Sequence, residues 1–252
     1  MIKKIFLILS IVFMGAYAMA NENDDLIFQA NAAYSEEKFS TALELYRKVL
    51  SNGWEAPELY YNLGNASFKT NDFPSAVYYY EKALKLDPSN ENYDFNLKVA
   101  NTKIIDKIEA VPLPFYTRWW YEIRGFCSSG GWAVWSIISF ALFLALIAIY
   151  LIAQPVRIRK LAFWTAAFML LAVIFINIFA LEQYRHISDS SEAIVFDATV
   201  NVKSSPNELS QDIFVIHEGT KVKITDKVGE WCEVRIANGS LGWIKASSFK
   251  II

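Results

Sequence analysis

Cysteine and histidine are scarce in this 252-residue sequence, which contains two of each. His186 and His217 have neither a metal-ligand spacing such as H-x-x-x-H nor a neighbouring pair of carboxylates. Cys127 and Cys232 fall in segments of different composition, which does not favour a disulfide between them. The sequence also lacks a G-x-S-x-G motif, a P-loop and a glycine-rich dinucleotide turn. We therefore expect no enzyme activity, no metal and no cofactor.

Charged residues are missing from two long runs, 132–153 and 161–181, which contain 22 and 21 residues. As helices at ~1.5 Å per residue, these runs reach roughly 31 to 33 Å, the thickness of a bilayer core. We predict two transmembrane helices. Two buried core helices are the alternative, but soluble helices seldom exclude charge over such a length. Asn177, the one strongly polar residue well inside either run, is expected to hydrogen-bond between the helices.

The first 20 residues have the composition of a signal peptide. Two lysines precede the apolar stretch 5–16, and the triplet AMA at 18–20 has the A-x-A form of a cleavage site. An apolar stretch of this length is too short to span a bilayer. We predict cleavage after Ala20, with a retained anchor as the alternative, so that the mature chain begins outside the cytoplasm.

The segment QPVRIRK, residues 154–160, separates the two uncharged runs and contains three cations and no acid. Short cytoplasmic loops collect lysine and arginine, so Arg157, Arg159 and Lys160 predict that this turn faces the cytoplasm. The soluble parts on either side of the hairpin then share one compartment. We predict an inner-membrane protein with two spans and both soluble domains in the periplasm.

Residues 21–110 contain an internal repeat of 34 residues. Ala42, Tyr46 and Val49 recur as Ala76, Tyr80 and Ala83. This period and these residue types resemble the tetratricopeptide repeat, a helix-turn-helix unit. The residues that carry the resemblance in the second copy are Tyr60, Leu63, Gly64, Ala76, Tyr80, Ala83 and Pro88.

The other two copies are less regular. The second copy itself departs from the pattern at Ser67, where an aromatic residue is usual. The first copy, 22–52, has Ala30 at the position of Gly64. The third is predicted as a single helix, 91–108, that caps the stack. Gly64 is expected to be small because the two helices of the hairpin cross there.

Stacks of such repeats present a concave surface to a partner. The residues predicted to face this groove are Asn31, Tyr34, Tyr61, Asn62, Asn65, Phe68 and Asn96. The alternative is that the aromatics pack internally and the asparagines are ordinary surface. A clamp for a C-terminal carboxylate is poorly supported, since Ile27 and Asn92 occupy two positions that would need cations. With 15 acids and 9 bases in residues 21–110, no nucleic-acid partner is expected.

Residues 111–131 connect the repeats to the first apolar run. After Pro112 and Pro114, the sequence FYTRWWYEIRGF places aromatic residues at helical spacing. We predict a short amphipathic helix at the level of the lipid headgroups. A protein-docking surface is the alternative.

Residues 190–252 contain seven short β-rich runs separated by turn residues, which predict a small closed barrel. Asn238-Gly239 is a hairpin signal. The runs NVKSSP, HEGTKV and WCEVRIANGSLGWI resemble the bacterial SH3-like family, whose most recognisable positions are Trp231, Gly242 and Trp243. Their expected role is to pack the barrel. Some members of that family bind cell-wall peptides and others bind proteins.

The order of these parts resembles the BatE proteins of the Bacteroides aerotolerance group. The sequence predicts a multidomain membrane protein with all-α tetratricopeptide repeats, a two-helix transmembrane hairpin and a small all-β SH3-like barrel. The resemblance implies an envelope complex connected with oxygen and stress tolerance, with von Willebrand A-type proteins among the partners. The leading hypothesis is a membrane-anchored periplasmic adaptor. The alternative is binding or sensing of peptidoglycan through the barrel.

Overall fold

The computed structural model describes residues 22–252. The predicted signal peptide, 1–20, lies outside the described residues. In chain order there follow a set of short helices, two long apolar helices and an antiparallel β-sheet. The predicted multidomain fold class is thereby confirmed.

From residue 22 onward, where the structure is described, five helices form the N-terminal part. They are α1 (22–35), α2 (Phe39–Ser51), α3 (Pro57–Lys69), α4 (Phe73–Leu86) and α5 (Glu91–Asn101). The starts of α4 and α5 are fixed by side-chain caps: Asp72 accepts from the Ser75 amide and Asn90 from the Asn92 amide.

The 34-residue period has a structural counterpart in hydrogen bonds and backbone angles. The Tyr46 hydroxyl donates to Asn31 Oδ1 at 2.6 Å, and the Tyr80 hydroxyl donates to Asn65 Oδ1 at 2.7 Å. Glu37 and Asn71, in the turns of the two hairpins, both have a φ near +60°. Each member of these pairs lies 34 positions from its counterpart. The first hairpin therefore repeats the second in detail, despite its weaker sequence match.

The third copy is shorter than predicted. Its helix α5 ends at Asn101, and the prediction of a helix to residue 108 is wrong. The following residues instead pass along the β-sheet: Ile104 is buried together with Ile194 and Ile252 of that sheet, and the Val111 amide donates to the Ala237 carbonyl at 3.1 Å. Residues 102–108 thus contact the sheet where further helical turns were predicted. The stack of repeats is therefore capped by α5 together with the β domain.

The linking segment contains the predicted short helix, α6 (Phe115–Arg124). Most of its side chains are exposed. The two long helices are α7 (Ser129–Ile152) and α8 (Val156–Ser188), and both are long and apolar enough to cross a membrane. Ser136 of α7 donates to Asn177 of α8 at 3.1 Å, so the expected bond between the helices is confirmed.

The basic turn is tighter than its sequence indicated. Helix α8 begins at Val156, directly after Pro155, so only residues 153–155 connect the two long helices. Proline is accepted at a helix start because its missing N–H has no intrahelical partner there. Arg157, Arg159 and Lys160 consequently lie on the first turns of α8 rather than in a loop.

Seven strands form the C-terminal domain, one at each predicted run. They are β1 (Glu192–Val195), β2 (Thr199–Lys203), β3 (Asp212–His217), β4 (Lys221–Val228), β5 (Trp231–Arg235), β6 (Leu241–Lys245) and β7 (Phe249–Ile251). All pairs are antiparallel, in the order β3-β2-β6-β5-β4-β1-β7. The predicted hairpin is formed between β5 and β6, with Gly239 at φ +91°.

The sheet is not closed by strand pairing, which corrects the expectation of a closed barrel. Strands β3 and β7 are its two edges. Strand β7 has only three residues, which pair with β1, and no ladder joins β7 to β3 among the described residues. The curved sheet still encloses a core that includes Val202, Cys232 and Val234.

The β domain is docked on the last repeat. Ala76, Val77 and Ala100 of the helices share one buried cluster with Ile194 and Ile252 of the sheet. Charged side chains surround this contact. The Lys221 ammonium lies 2.9 Å from carboxylate oxygens of both Glu81, on α4, and Glu192, on β1.

A second polar contact of the docked domains centres on Asp106. Its carboxylate accepts hydrogen bonds from the His217 amide at 2.7 Å and from the Thr220 hydroxyl at 2.6 Å, and it lies 2.8 Å from His217 Nδ1. Burial raises the pKa of Asp106, but the hydrogen bonds from Thr220 and His217 outweigh it and lower the pKa below its ordinary value. His217 thus has a carboxylate partner that its sequence surroundings did not indicate.

Candidate functional site

A cavity of about 200 Å³ opens on the face formed by α1, α3 and α5. Its walls are Tyr34, Asn65, Phe68, Lys69, Tyr80, Asn96 and Val99. Four of the seven residues predicted for the groove, Tyr34, Asn65, Phe68 and Asn96, therefore meet around one space. We call this space the repeat groove.

Hydrogen bonds orient the two asparagines of the repeat groove. Asn96 Nδ2 donates to Asn65 Oδ1 at 2.9 Å and to the Tyr61 hydroxyl at 3.1 Å. Asn65 Oδ1 also accepts from the Tyr80 hydroxyl at 2.7 Å. Within residues 22–252, the hydrogen bonds of these two amides leave Asn65 Nδ2 without a side-chain acceptor and Asn96 Oδ1 without a donor. The groove thus presents one amide donor beside one amide acceptor, the pattern that pairs with a peptide unit.

The aromatic residues of the groove have internal contacts as well as exposed faces. Tyr34 packs edge-on against Phe39 with ring centroids 5.1 Å apart, and Phe68 packs against Phe73 at 5.5 Å. Tyr34 and Phe68 nevertheless remain half-buried. These packing contacts fix the ring orientations, and the accessible faces can take part in a hydrophobic contact.

Three predicted groove residues lie outside the cavity lining. Asn31 is exposed and accepts the bond from Tyr46, while Tyr61 packs on Tyr93 with centroids 4.7 Å apart. Asn62 is half-buried on α3 and does not line the cavity. Tyr61 acts on the groove indirectly, through its hydroxyl contact with Asn96 and through its ring, whose centroid lies 6.0 Å from that of Tyr80.

Three lining residues were not predicted for the groove: Tyr80, which was assigned to packing, and Val99 and Lys69, which the sequence reasoning missed. Val99 lies three positions after Asn96 on α5, so helical spacing alone would have placed both on one face. Lys69 follows Phe68 at the end of α3, and its ammonium lies 5.7 Å from the Phe39 ring centroid. Among the described residues, this lysine is the only charged side chain that lines the repeat groove.

The tyrosines of the groove remain neutral at physiological pH. Burial raises the pKa of Tyr34, with a further contribution from Tyr61, and it raises the pKa of Tyr46 to about 12. Burial likewise raises the pKa of Tyr80. Their hydroxyls therefore stay hydrogen-bond donors, and the groove is suited to bind a polar, extended chain rather than to transfer protons.

The residues assigned to repeat packing lie in the interior. Tyr60, Leu63, Gly64, Ala76, Tyr80 and Ala83 are buried, and Pro88 is half-buried after the end of α4. A Cβ atom on Gly64 would lie 2.6 Å from the ring of Tyr80, so the two helices of this hairpin touch where the glycine lies.

Two parts of the chain match known protein families. Residues 57–90 match the tetratricopeptide repeat, and residues 198–250 match the bacterial SH3 domain. The first match covers the α3–α4 hairpin and the second covers β2 to the middle of β7. Both families consist of binding modules that are typically non-catalytic. Comparison with curated proteins gave no match.

The SH3 domain has a second concave surface, of about 490 Å³, beside the tetratricopeptide repeats. In residues 22–252, its lining includes Lys227, Lys250, Phe249 and Cys232 but no acidic side chain. The ammonium of Lys250 lies 3.9 Å from the Phe196 ring centroid. We call this surface the SH3 pocket.

The positions that carry the SH3 resemblance are mostly interior. Trp231 is 8% exposed, Gly242 is buried and Trp243 is half-buried. A Cβ atom on Gly242 would lie 2.4 Å from Val202 Cγ1 and 3.0 Å from the Lys203 carbonyl oxygen. Only glycine fits this close approach of two strands. Burial raises the pKa of the Cys232 thiol, which keeps it protonated and disfavours a nucleophilic role.

Proposed function

We propose that the protein is a membrane-anchored scaffold whose repeat groove binds an extended segment of another envelope protein. The observation that carries this proposal is the donor and acceptor pair of Asn65 and Asn96, flanked by the half-exposed rings of Tyr34 and Phe68. Amide pairs of this kind can recognise a peptide backbone, and aromatic faces beside them add contact area at small entropic cost.

The scaffold is proposed to face the periplasm of the inner membrane. An exported N-terminus and a cytoplasmic basic turn at Arg157, Arg159 and Lys160 agree on this orientation. The likeness of the whole arrangement to BatE proteins supports a place in an envelope complex for oxygen or stress tolerance, with von Willebrand A-type proteins as candidate partners.

A photo-crosslinking amino acid in place of Phe68 tests the groove directly. We expect p-benzoylphenylalanine at this position to form a covalent adduct with one envelope protein in living cells. The matched control is the same substitution at Phe95, which is 65% exposed on α5 and lies outside the groove lining. Equal adducts at both positions would show that the groove is not the binding site.

Asn96→Ala should lower the yield of the Phe68 adduct by about fivefold, because a peptide hydrogen bond contributes ~1 kcal/mol. The bond between Tyr80 and Asn65 is left intact by this change, so the thermal midpoint measured by circular dichroism serves as the control for folding. An unchanged yield in a folded variant would mean that the asparagine pair does not hold the partner.

Peptidoglycan binding through the SH3 pocket is the second candidate function. Lys227 and Lys250 line that pocket without an acidic neighbour in the lining, and the free carboxylates of cell-wall peptides are complementary to two ammonium groups.

Sedimentation of the full chain with purified cell wall, in detergent, tests this second candidate. We expect Lys227→Ala with Lys250→Ala to weaken the apparent affinity for cell wall by about 30-fold at low salt, since each charge-assisted contact contributes ~1 kcal/mol or more. Lys223→Ala is the matched control, because this exposed lysine of β4 lies outside the pocket lining. Sedimentation that is equally weak in all three proteins would leave the repeat groove as the sole binding surface.

A further inference from the structure

The cations at the tip of the helical hairpin have no acidic counterpart. Between Glu122 and Glu182 the sequence contains no aspartate or glutamate. In the part of the chain that the structure describes, Arg157, Arg159 and Lys160 form no ion pair. Their charges are available to an anionic ligand.

Two of these cations line a cavity between the two long helices. The cavity measures about 320 Å³, and its walls are Tyr150, Val156, Arg159, Lys160, Phe163 and Trp164. The Arg159 guanidinium carbon lies 5.3 Å from the Tyr150 ring centroid, a cation–π geometry that holds the side chain at the cavity. Arg157, two positions earlier, does not line it.

Backbone donors add to this positive site. The first amides of a helix have no intrahelical acceptor, and at the start of α8, where Pro155 is the N-cap residue, no side-chain cap satisfies them. The helix dipole places further partial positive charge at the same end. Guanidinium, ammonium and amide donors together match the oxygen atoms of a phosphate group.

The remaining walls are apolar and continue along the hairpin. Phe163 is 48% and Trp164 70% exposed, and beyond them the two helices present apolar side chains without a charge. A soluble phosphate would leave these walls in water. A phosphate that carries acyl chains would cover them, because aromatic side chains favour the boundary between headgroups and hydrocarbon.

We propose that this cavity binds the headgroup of an anionic phospholipid. Arg159 and Lys160 bind the phosphate, while Tyr150 and Trp164 contact the glycerol region and the start of the acyl chains. The lipid belongs to the leaflet at the connected ends of α7 and α8. This inference requires that the hairpin spans the bilayer, as in the proposed function, but it does not depend on any partner of the repeat groove.

The test uses the full chain in phosphatidylcholine vesicles that contain spin-labelled phosphatidylglycerol. The immobilised fraction of the label gives the preference over spin-labelled phosphatidylcholine, measured at about 0.5 M salt so that long-range attraction is screened. We expect Arg159→Gln and Lys160→Gln each to lower this preference by about fivefold and the double variant by roughly 20-fold. Arg157→Gln removes the same charge from the same turn and should change the preference by less than about twofold.

Three results would overturn the proposal. An equal loss of phosphatidylglycerol preference in Arg157→Gln would show that the preference comes from the general positive charge of the turn and not from the cavity. Displacement of the labelled lipid by inorganic phosphate would indicate a simple anion site. The absence of any preference for phosphatidylglycerol in the unchanged protein would exclude a lipid site altogether. Resistance of each protein to extraction by alkaline carbonate tests the membrane hairpin separately.

Discussion

Trp231→Ala is expected to lower the free energy of unfolding of the SH3 domain by about 3 to 5 kcal/mol, as loss of a large buried aromatic side chain generally does. Trp231 is 8% exposed and begins β5, opposite Val228 of β4 and Lys245 of β6. Its indole is buried beside these strands, and the Lys245 ammonium lies 5.7 Å from its ring centroid. A loss of this size is a large share of the stability of a small domain.

The buried thiol of Cys232 reports this unfolding in the full chain. In a Cys127→Ser background, labelling of Cys232 by a thiol reagent should begin at a much lower urea concentration in the Trp231 variant. Trp243→Ala is the comparison, since the loss of this half-buried indole should lower the free energy of unfolding by less. If the urea midpoint is the same with and without Trp231, the indole is not part of the core and is better regarded as a ligand platform.

Asp106→Ala should release the SH3 domain from the repeats without unfolding either. The Asp106 side chain is 14% exposed, and three donor groups on His217 and Thr220 converge on it. Removal of the carboxylate leaves the His217 amide and the Thr220 hydroxyl unpaired, and each unpaired buried donor costs roughly 1 to 3 kcal/mol. We expect the domain contact to open in most molecules.

Limited trypsin digestion can measure this release. Cleavage after Lys107, which is exposed in the connecting segment, should become much faster once the segment no longer lies along the sheet. Asp94→Ala is the control, because its ion pair with Lys98 is exposed on the surface of α5. Unchanged cleavage in Asp106→Ala would mean that the apolar contact of Ile194 and Ile252 is sufficient for docking.

The same contact should respond to acid in one direction. Because the pKa of Asp106 is lowered in the folded protein, its contribution is complete above the ordinary carboxyl pKa and is lost as pH falls through the lowered value. Docking should therefore persist at neutral pH and weaken only in strong acid.

Local patterns were sufficient for most elements of the fold. Alternating residues and turn signals located all seven strands, and uninterrupted apolar runs located α7 and α8. Repetition after 34 residues located the helical hairpins. These are properties of neighbouring residues, which a single sequence displays directly.

Contacts between distant segments were not predictable in this way. Asp106 and His217 are 111 residues apart, and nothing near either one indicates the other. The early end of α5 has the same origin, because the segment after Asn101 is held by the SH3 domain rather than by its own helical propensity. The groove is an intermediate case. Asn65 and Asn96 were found from repeat geometry, whereas Lys69 was overlooked because none of the small and aromatic positions that mark the repeat falls on it.

The attachment of the chain at Lys85 has a mechanical consequence. The ammonium of Lys85, near the end of α4, donates to the Ile252 carbonyl at 2.7 Å and also to the Asp189 carbonyl just after α8. In the proposed topology the chain leaves the repeats, crosses the bilayer twice and returns to them, so the two crossings form a closed loop on one body. A single flexible tether would let that body swivel freely. Two fixed attachments instead resist rotation and hold the groove at one height and one orientation above the lipid.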